Sequence, residues 1–200
     1  MKNNFFTAPN LNKIPWIKHG FFTRNGGSSV GLYKTLNCSF ASSDKKQNVL
    51  KNRNMILNFL KIQRFPLFIP NQVHGTKVEI ISNRNSIIDT KTDALITSQK
   101  HIALGILTAD CAPLLIVDGK KKIIATIHCG WKGTLNGIIE NAINRFTEMG
   151  SIKKNLIAAI GPCISSKSYE VKYDFVNNFK IIEKDIEDFF IIQKENTIFF

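Results

Sequence analysis

Three residues of types that hold transition metals stand far apart in the chain: His74 in IPNQVHGT, Cys111 in LTADCAPLL and His128 in ATIHCGWKG. Each lies at or just past the end of an apolar, strand-like run, where side chains from separate strands can converge. Two imidazoles and a thiolate suit zinc, and three protein ligands leave a fourth position for water or substrate. That is the donor pattern of a catalytic centre. Thiolate with imidazole also argues against magnesium or calcium, which take oxygen ligands. Small or ring-closed residues accompany each candidate ligand: Gly75 after His74, Ala112-Pro113 after Cys111, Gly130 two places after His128. A crowded site at strand ends requires such neighbours.

A second reading of the same residues needs no metal. Cys111 could act as the nucleophile and His128 as the base of a cysteine hydrolase.

The elements that must position these residues are legible as patterns. ALITS, IALGILTA, PLLIVD and KIIATIH are short Ile- and Leu-rich runs bounded by Gly, Asp or Lys, which predicts strands buried on both faces. Lys120, Lys121 and Lys122 follow VDG and precede IIATI, so they read as solvated tips of a hairpin turn. GFFTR predicts a strand entering the turn Asn25-Gly26-Gly27, LFI a short strand, and the run from Val73 to Ile81 a further one. Val49, Leu50, Ile56, Leu57 and Leu60 give Asp44 to Lys61 a helical period, with Asp44 favouring the dipole at its start. Gly130-Trp131-Lys132-Gly133 reads as a turn, and Thr134 as the N-cap of a helix Leu135–Phe146 burying Ile138, Ile139, Ala142, Ile143 and Phe146. LIAAIGP predicts another strand, and the remainder to Lys194 a largely helical segment. Strands cluster with helices outside them, so the expected fold is α+β, mixed β-sheets layered with helices in a single domain over residues 1–200.

Composition sets bounds. The 200 residues, 44% hydrophobic and 21% charged, suffice for one substantial core. The longest apolar run, Ile102 to Val117, is cut by Asp110 and too short for a membrane helix, which needs about 20 apolar residues. MKNNFFTAPN lacks the features of a secretory signal, and the four cysteines show no CxxC pairing. A cytoplasmic protein is therefore expected. The net charge of +12 is spread along the chain without a recognition motif, which argues for a basic face that attracts anions and against a nucleic-acid partner.

HGFFTRNGG, the LN after Tyr33, the NR at Asn52-Arg53, NQVHG, TDALIT, TADCAPLLIVD, HCGWKG and GPCI followed by YEV occur in that order. Together they resemble the YfiH-type family, also called laccase-domain or polyphenol-oxidase-like proteins, from about residue 19 to 200. The resemblance implies mixed sheets layered with helices, metal ligands at His74, Cys111 and His128, and zinc. It also implies phosphorolysis of purine nucleosides (inosine, adenosine and methylthioadenosine), with adenosine deamination as a companion activity. The partners would be a purine nucleoside and phosphate. Arg24 with Gly26 and Gly27 would contact phosphate or ribose, Lys132 would hold an anion where the family commonly has arginine, and Asn37 and Gln72 would bond a polar ligand. Cys129 stands where the family usually has alanine. The family pattern continues beyond Phe200 with a further strand-helix region and an Arg-rich motif, and Thr197–Phe200 reads as half of a buried strand. A chain lacking the C-terminal part of the family fold is the expectation, with an inactive remnant as one outcome. A metal-free hydrolase acting on cell-wall precursors is another. A multicopper oxidase would demand roughly ten histidines, given copper's preference for imidazole; this chain has four, His19, His74, His101 and His128.

Overall fold

The apolar runs that carry the candidate ligands form one sheet. The computed structural model describes residues 4–88, 91–179, 189–192 and 198–200. In chain order the elements begin with β1 (Phe5–Phe6), α1 (Pro9–Asn12), β2 (Phe21–Phe22) and α2 (Lys46–Phe59). Next come β3 (Leu67–Phe68), β4 (Val78–Ile80), β5 (Ala94–Thr97), β6 (Ala103–Leu104), β7 (Ala112–Asp118) and β8 (Ile123–Cys129). Then follow α3 (Trp131–Leu135), α4 (Ile138–Glu148), β9 (Leu156–Ile160), β10 (Glu170–Val171), α5 (Tyr173–Val176), β11 (Ile191–Ile192) and β12 (Ile198–Phe199).

The five-stranded sheet has the order β4-β5-β8-β7-β9. Its β4–β5 pair is parallel and its other pairs antiparallel, so the sheet is mixed. All four residues of β5 are buried, as expected for a strand covered on both faces. The lysine tip closes the β7–β8 hairpin: the carboxylate of Asp118 accepts the amides of Lys120 and Lys121 at 2.9 and 3.0 Å. On one face, Ile138, Ala142 and Phe146 of α4 are fully buried against Ala94, Ile96, Leu114, Ile116 and Ile127. Truncating a buried phenylalanine such as Phe146 to alanine costs about 3–5 kcal/mol. The α+β architecture of mixed sheets layered with helices is the one the sequence patterns predict.

Five local expectations are corrected. Gly130 to Gly133 is no turn: Gly130 is extended and α3 starts at once, with Thr134 N bonding Gly130 O at 2.9 Å. The following helix starts at Ile138, not Leu135, because Gly137 adopts φ +94°, which ends one helix and opens the next. IALGILTA contributes only Ala103–Leu104 as strand. The run from Val73 to Ile81 pairs only at Val78–Ile80, because the amides of Val73, His74 and Gly75 turn onto a side chain instead. In the segment expected to be helical, the described residues hold one short helix, α5, and a three-stranded sheet in which β12 lies between β10 and β11. Residues 180–188 and 193–197 lie outside the described ones. Aromatic packing accounts for that outcome, since Phe175, Phe179, Phe190 and Phe200 cluster beneath Trp131.

Candidate metal centre

The β7–β8 hairpin brings the start of one strand and the end of the other to the same edge, pairing Pro113 with His128 and Ala112 with Cys129. Cys111 just precedes β7, so it comes next to His128 at that edge. Beside β8, β5 begins at Ala94, and His128 N bonds the carbonyl of Asp93 at 2.8 Å. His74 arrives from the loop before β4, the parallel neighbour of β5.

One buried carboxylate gathers these pieces. Asp93 is fully buried and accepts three successive amides, Val73 at 3.1, His74 at 2.9 and Gly75 at 2.8 Å. That grip holds His74 at φ +58°, a conformation uncommon for a residue with a Cβ. The same carboxylate meets Nδ1 of the buried His128 at 2.8 Å. A carboxylate can only accept, so Nδ1 carries the proton and Nε2 keeps its lone pair for a ligand. Burial alone would raise the Asp93 carboxyl, but the bonds from His128, Gly75, Val73 and His74 outweigh it and hold it below the usual carboxylate range. It is an anion at neutral pH, and metal-bound histidines are commonly oriented by such a partner.

In front of Asp93, Cys111 Sγ lies 3.8 Å from His74 Nε2, and the two imidazole rings meet edge to face with centroids 4.8 Å apart. One ligand atom from each of His74, Cys111 and His128 lies within 4.8 Å of the others. Zinc bonds of about 2.0–2.1 Å to nitrogen and 2.3 Å to sulfur place two tetrahedral ligand atoms roughly 3.3–3.6 Å apart. The cluster therefore fits such an ion with small side-chain adjustments. Burial first, then the charges of Asp110 and Asp93, push the Cys111 thiol up; a cation between the three groups would act in the opposite sense. Gly130 leaves the room. A Cβ there would stand 2.6 Å from His74 Cδ2 and 3.3 Å from Cys111 Sγ.

The other expected contact residues are arranged differently. Gln72 exchanges two bonds with the backbone of Leu107, at 2.7 and 2.8 Å, and so straps the 105–108 connection to the His74 loop. Arg24 directs Nε and one Nη at the carbonyl of Lys34, at 3.3 and 3.2 Å. Asn37 bonds Ser42 and Asp44 through its amide nitrogen and the Ser39 amide through its oxygen. Lys132 is exposed on the first turn of α3, two residues beyond Gly130. Of the other histidines, His19 accepts the Ala8 amide and His101 packs edge-on to Phe65.

Sequence reasoning passed over Asp93 as a positioning group, although an acidic residue directly before a strand buried on both faces is itself a signal. It also passed over Asn52, whose buried amide ties Ser28, Ser29, Thr35 and Asn37 together.

Residues 18–199 match the family described as multi-copper polyphenol oxidoreductase laccase. The chain belongs to this family. Relatives within reach of it include a protein of Rickettsia conorii named purine nucleoside phosphorylase RC0672, 39% identical over 176 residues, which are 84% of this chain and 70% of the relative. A purine nucleoside phosphorylase of Bacteroides thetaiotaomicron is 34% identical over 173 residues, 82% of this chain and 64% of the relative. The chain thus spans about two thirds of the length of these relatives. The crystal structure of the Bacillus licheniformis hypothetical protein YfiH superposes with a TM-score of 0.81 at 28% identity, covering 90% of this chain and 71% of the other. That of Geobacillus stearothermophilus YlmD gives 0.84 at 22% identity over 99% of this chain and 77% of the other, a likeness of fold. No helix among the described residues is long and apolar enough to cross a membrane.

Proposed function

We propose that this laccase-domain chain is a zinc-dependent purine nucleoside phosphorylase of the cytoplasm. It would convert inosine, adenosine or methylthioadenosine with phosphate to the free base and the pentose 1-phosphate, with adenosine deamination as a side activity. The observation that carries the reading is the convergence of His74, Cys111 and His128 on one point in front of a single buried carboxylate. The names of the relatives supply the substrate class.

His74, Cys111 and His128 would hold the ion. Zinc, when bound, supplies Lewis-acid polarisation of an oxygen at the open position. The chain's own residues do the rest. Asp93 keeps the Nδ1 proton on His128 and fixes the ring. Lys132, next to the site on α3, attracts the phosphate dianion. The guanidinium of Arg24 has N–H groups beyond those given to Lys34, and these can bond phosphate or ribose. An oxygen of the hydrogen phosphate forms a bond to the anomeric carbon as the bond to the purine nitrogen breaks, and the proton the phosphate gives up ends on the leaving base. Gln72 and Asn37 support this as holders of loops, each through the backbone or polar groups described above.

Purified protein loaded with zinc and given inosine should release hypoxanthine only when phosphate is present, and lose that activity on chelation. Release without phosphate would replace the reading with hydrolysis. Full activity after chelation, lost in Cys111→Ser, would favour the cysteine hydrolase, for which the Asp93–His128 pair is the supporting feature. No turnover with zinc and phosphate both present would contradict the proposal.

A further inference from the structure

The ladder between β7 and β9 does not stop where the strands do. It pairs Leu114 with Ile160, and beyond them Gly161 N donates to Pro113 O at 2.8 Å and Ile164 N to Asp110 O at 2.9 Å. Those bonds lie three residues apart on each segment, so the two-residue alternation of a ladder is broken between them, and they enclose Cys111 and Ala112 on one side and Pro162 and Cys163 on the other. The two cysteines are thereby held as neighbours across the two segments, as a disulfide with its Cα atoms roughly 4.4–6.8 Å apart requires. Cys163 is exposed and Cys111 is partly so, which gives a small oxidant access to the pair.

Strand alternation separates the remaining thiol nearby. Cys129 pairs with Ala112 and packs with the core beneath α4, whereas Pro113, two residues from Cys111 and on its face, pairs with His128. Cys111 and His128 therefore share one face of the sheet, and Cys129 turns to the other. Cys38 is buried elsewhere, against the carbonyl of Leu36.

We propose that Cys111 and Cys163 form a reversible disulfide that withdraws the thiolate from the His74–Cys111–His128 set and so releases the metal; this rests on the reading of that set as a metal site. The oxidant is a low-molecular-weight disulfide. The Cys163 thiolate attacks one of its sulfurs and expels the first small thiolate. The Cys111 thiolate then attacks the Cys163 sulfur of the mixed disulfide and expels the second. Two protein thiols and one small disulfide become one protein disulfide and two small thiols. The two imidazoles left behind form an incomplete set, and zinc held by them alone binds weakly.

The test uses the full chain loaded with zinc, treated with oxidised glutathione and then with dithiothreitol. The wild type should lose two of its four thiols, yield a crosslinked peptide joining Cys111 to Cys163, and release zinc to a chromophoric chelator. Zinc affinity should fall by about 100-fold or more, at least what loss of an outer partner costs, and return on reduction. Cys163→Ser should keep its zinc and its remaining thiols under the same treatment, while Cys129→Ala behaves as wild type. Zinc release that is equal in Cys163→Ser, a crosslink joining Cys111 to Cys129, or no loss of thiols would overturn the proposal. Were the chain to bind no zinc, thiol loss and the mapped crosslink would still decide whether the pair forms, so failure of the metal reading is distinguishable from failure of the pairing.

Discussion

Two polar regions of this molecule differ in where their hydrogen-bonding capacity goes. In the loop from Arg24 to Asp44, it is turned inward. Asn52 binds four groups of the loop, Asn37 binds three, Arg24 caps a carbonyl, and Ser29 donates to Asp44 at 2.6 Å. At the edge of the five-stranded sheet, by contrast, a buried aspartate binds the back of the cluster, and the groups at its front turn toward one another. There the Cys111 thiol meets His74 Nε2 at 3.8 Å, with a nitrogen of His128 within 4.8 Å of both. The first arrangement builds a loop, and the second gathers three groups that could hold a cation.

The largest effect should come from Asp93. Asp93→Ala strips three amides and one imidazole of their acceptor in a buried place, at a cost of about 3–5 kcal/mol, and zinc affinity should fall by about 10- to 100-fold. Urea denaturation and zinc titration of the same samples check both. The pH dependence carries the same signature. The folded carboxyl titrates below its unfolded value of about 3.9, so its contribution is complete above that value and is lost as pH falls through the folded pKa. Wild type should lose stability on that acid limb more steeply than Asp93→Asn.

Gly130→Ala comes next and separates metal affinity from stability. Its methyl would press on His74 and Cys111, so zinc binding should drop by at least about tenfold, the lower end of what a misplaced supporting group costs, while the denaturation midpoint moves little. Asn52→Ala is the mirror image. It takes the side-chain partner from the Asn37 carbonyl and the Ser28 amide, while the Thr35 carbonyl still accepts from Ser29 N, at about 1–3 kcal/mol for each orphaned group, yet zinc affinity should be unchanged. A matching loss of zinc would erase the distinction between the two regions. The smallest effect is expected for Lys132→Ala, which should raise the KM for phosphate about three- to tenfold, as loss of one exposed charge-assisted contact would, with metal content unaltered.

Much of this was readable from residues alone. The strands of the sheet announce themselves as apolar runs, and His74, Cys111 and His128 by their type at the ends of such runs. The failures have physical causes. Gly137 splits what the apolar period presents as one helix, because a left-handed residue is invisible to periodicity. Leu107 looks like strand, but the side chain of Gln72 takes both of its backbone bonds. Asp93 escaped because a carboxylate that binds backbone amides from 18 to 20 residues away leaves no spacing to read.

The central claim is most directly tested with cobalt(II) in place of zinc. A thiolate-to-cobalt charge-transfer band in the near ultraviolet, with tetrahedral ligand-field absorption at one ion per chain, is the predicted result, and Cys111→Ser should abolish the charge-transfer band. A colourless protein, or a band that survives in Cys111→Ser, would contradict the assignment of His74, Cys111 and His128 as one metal-holding set.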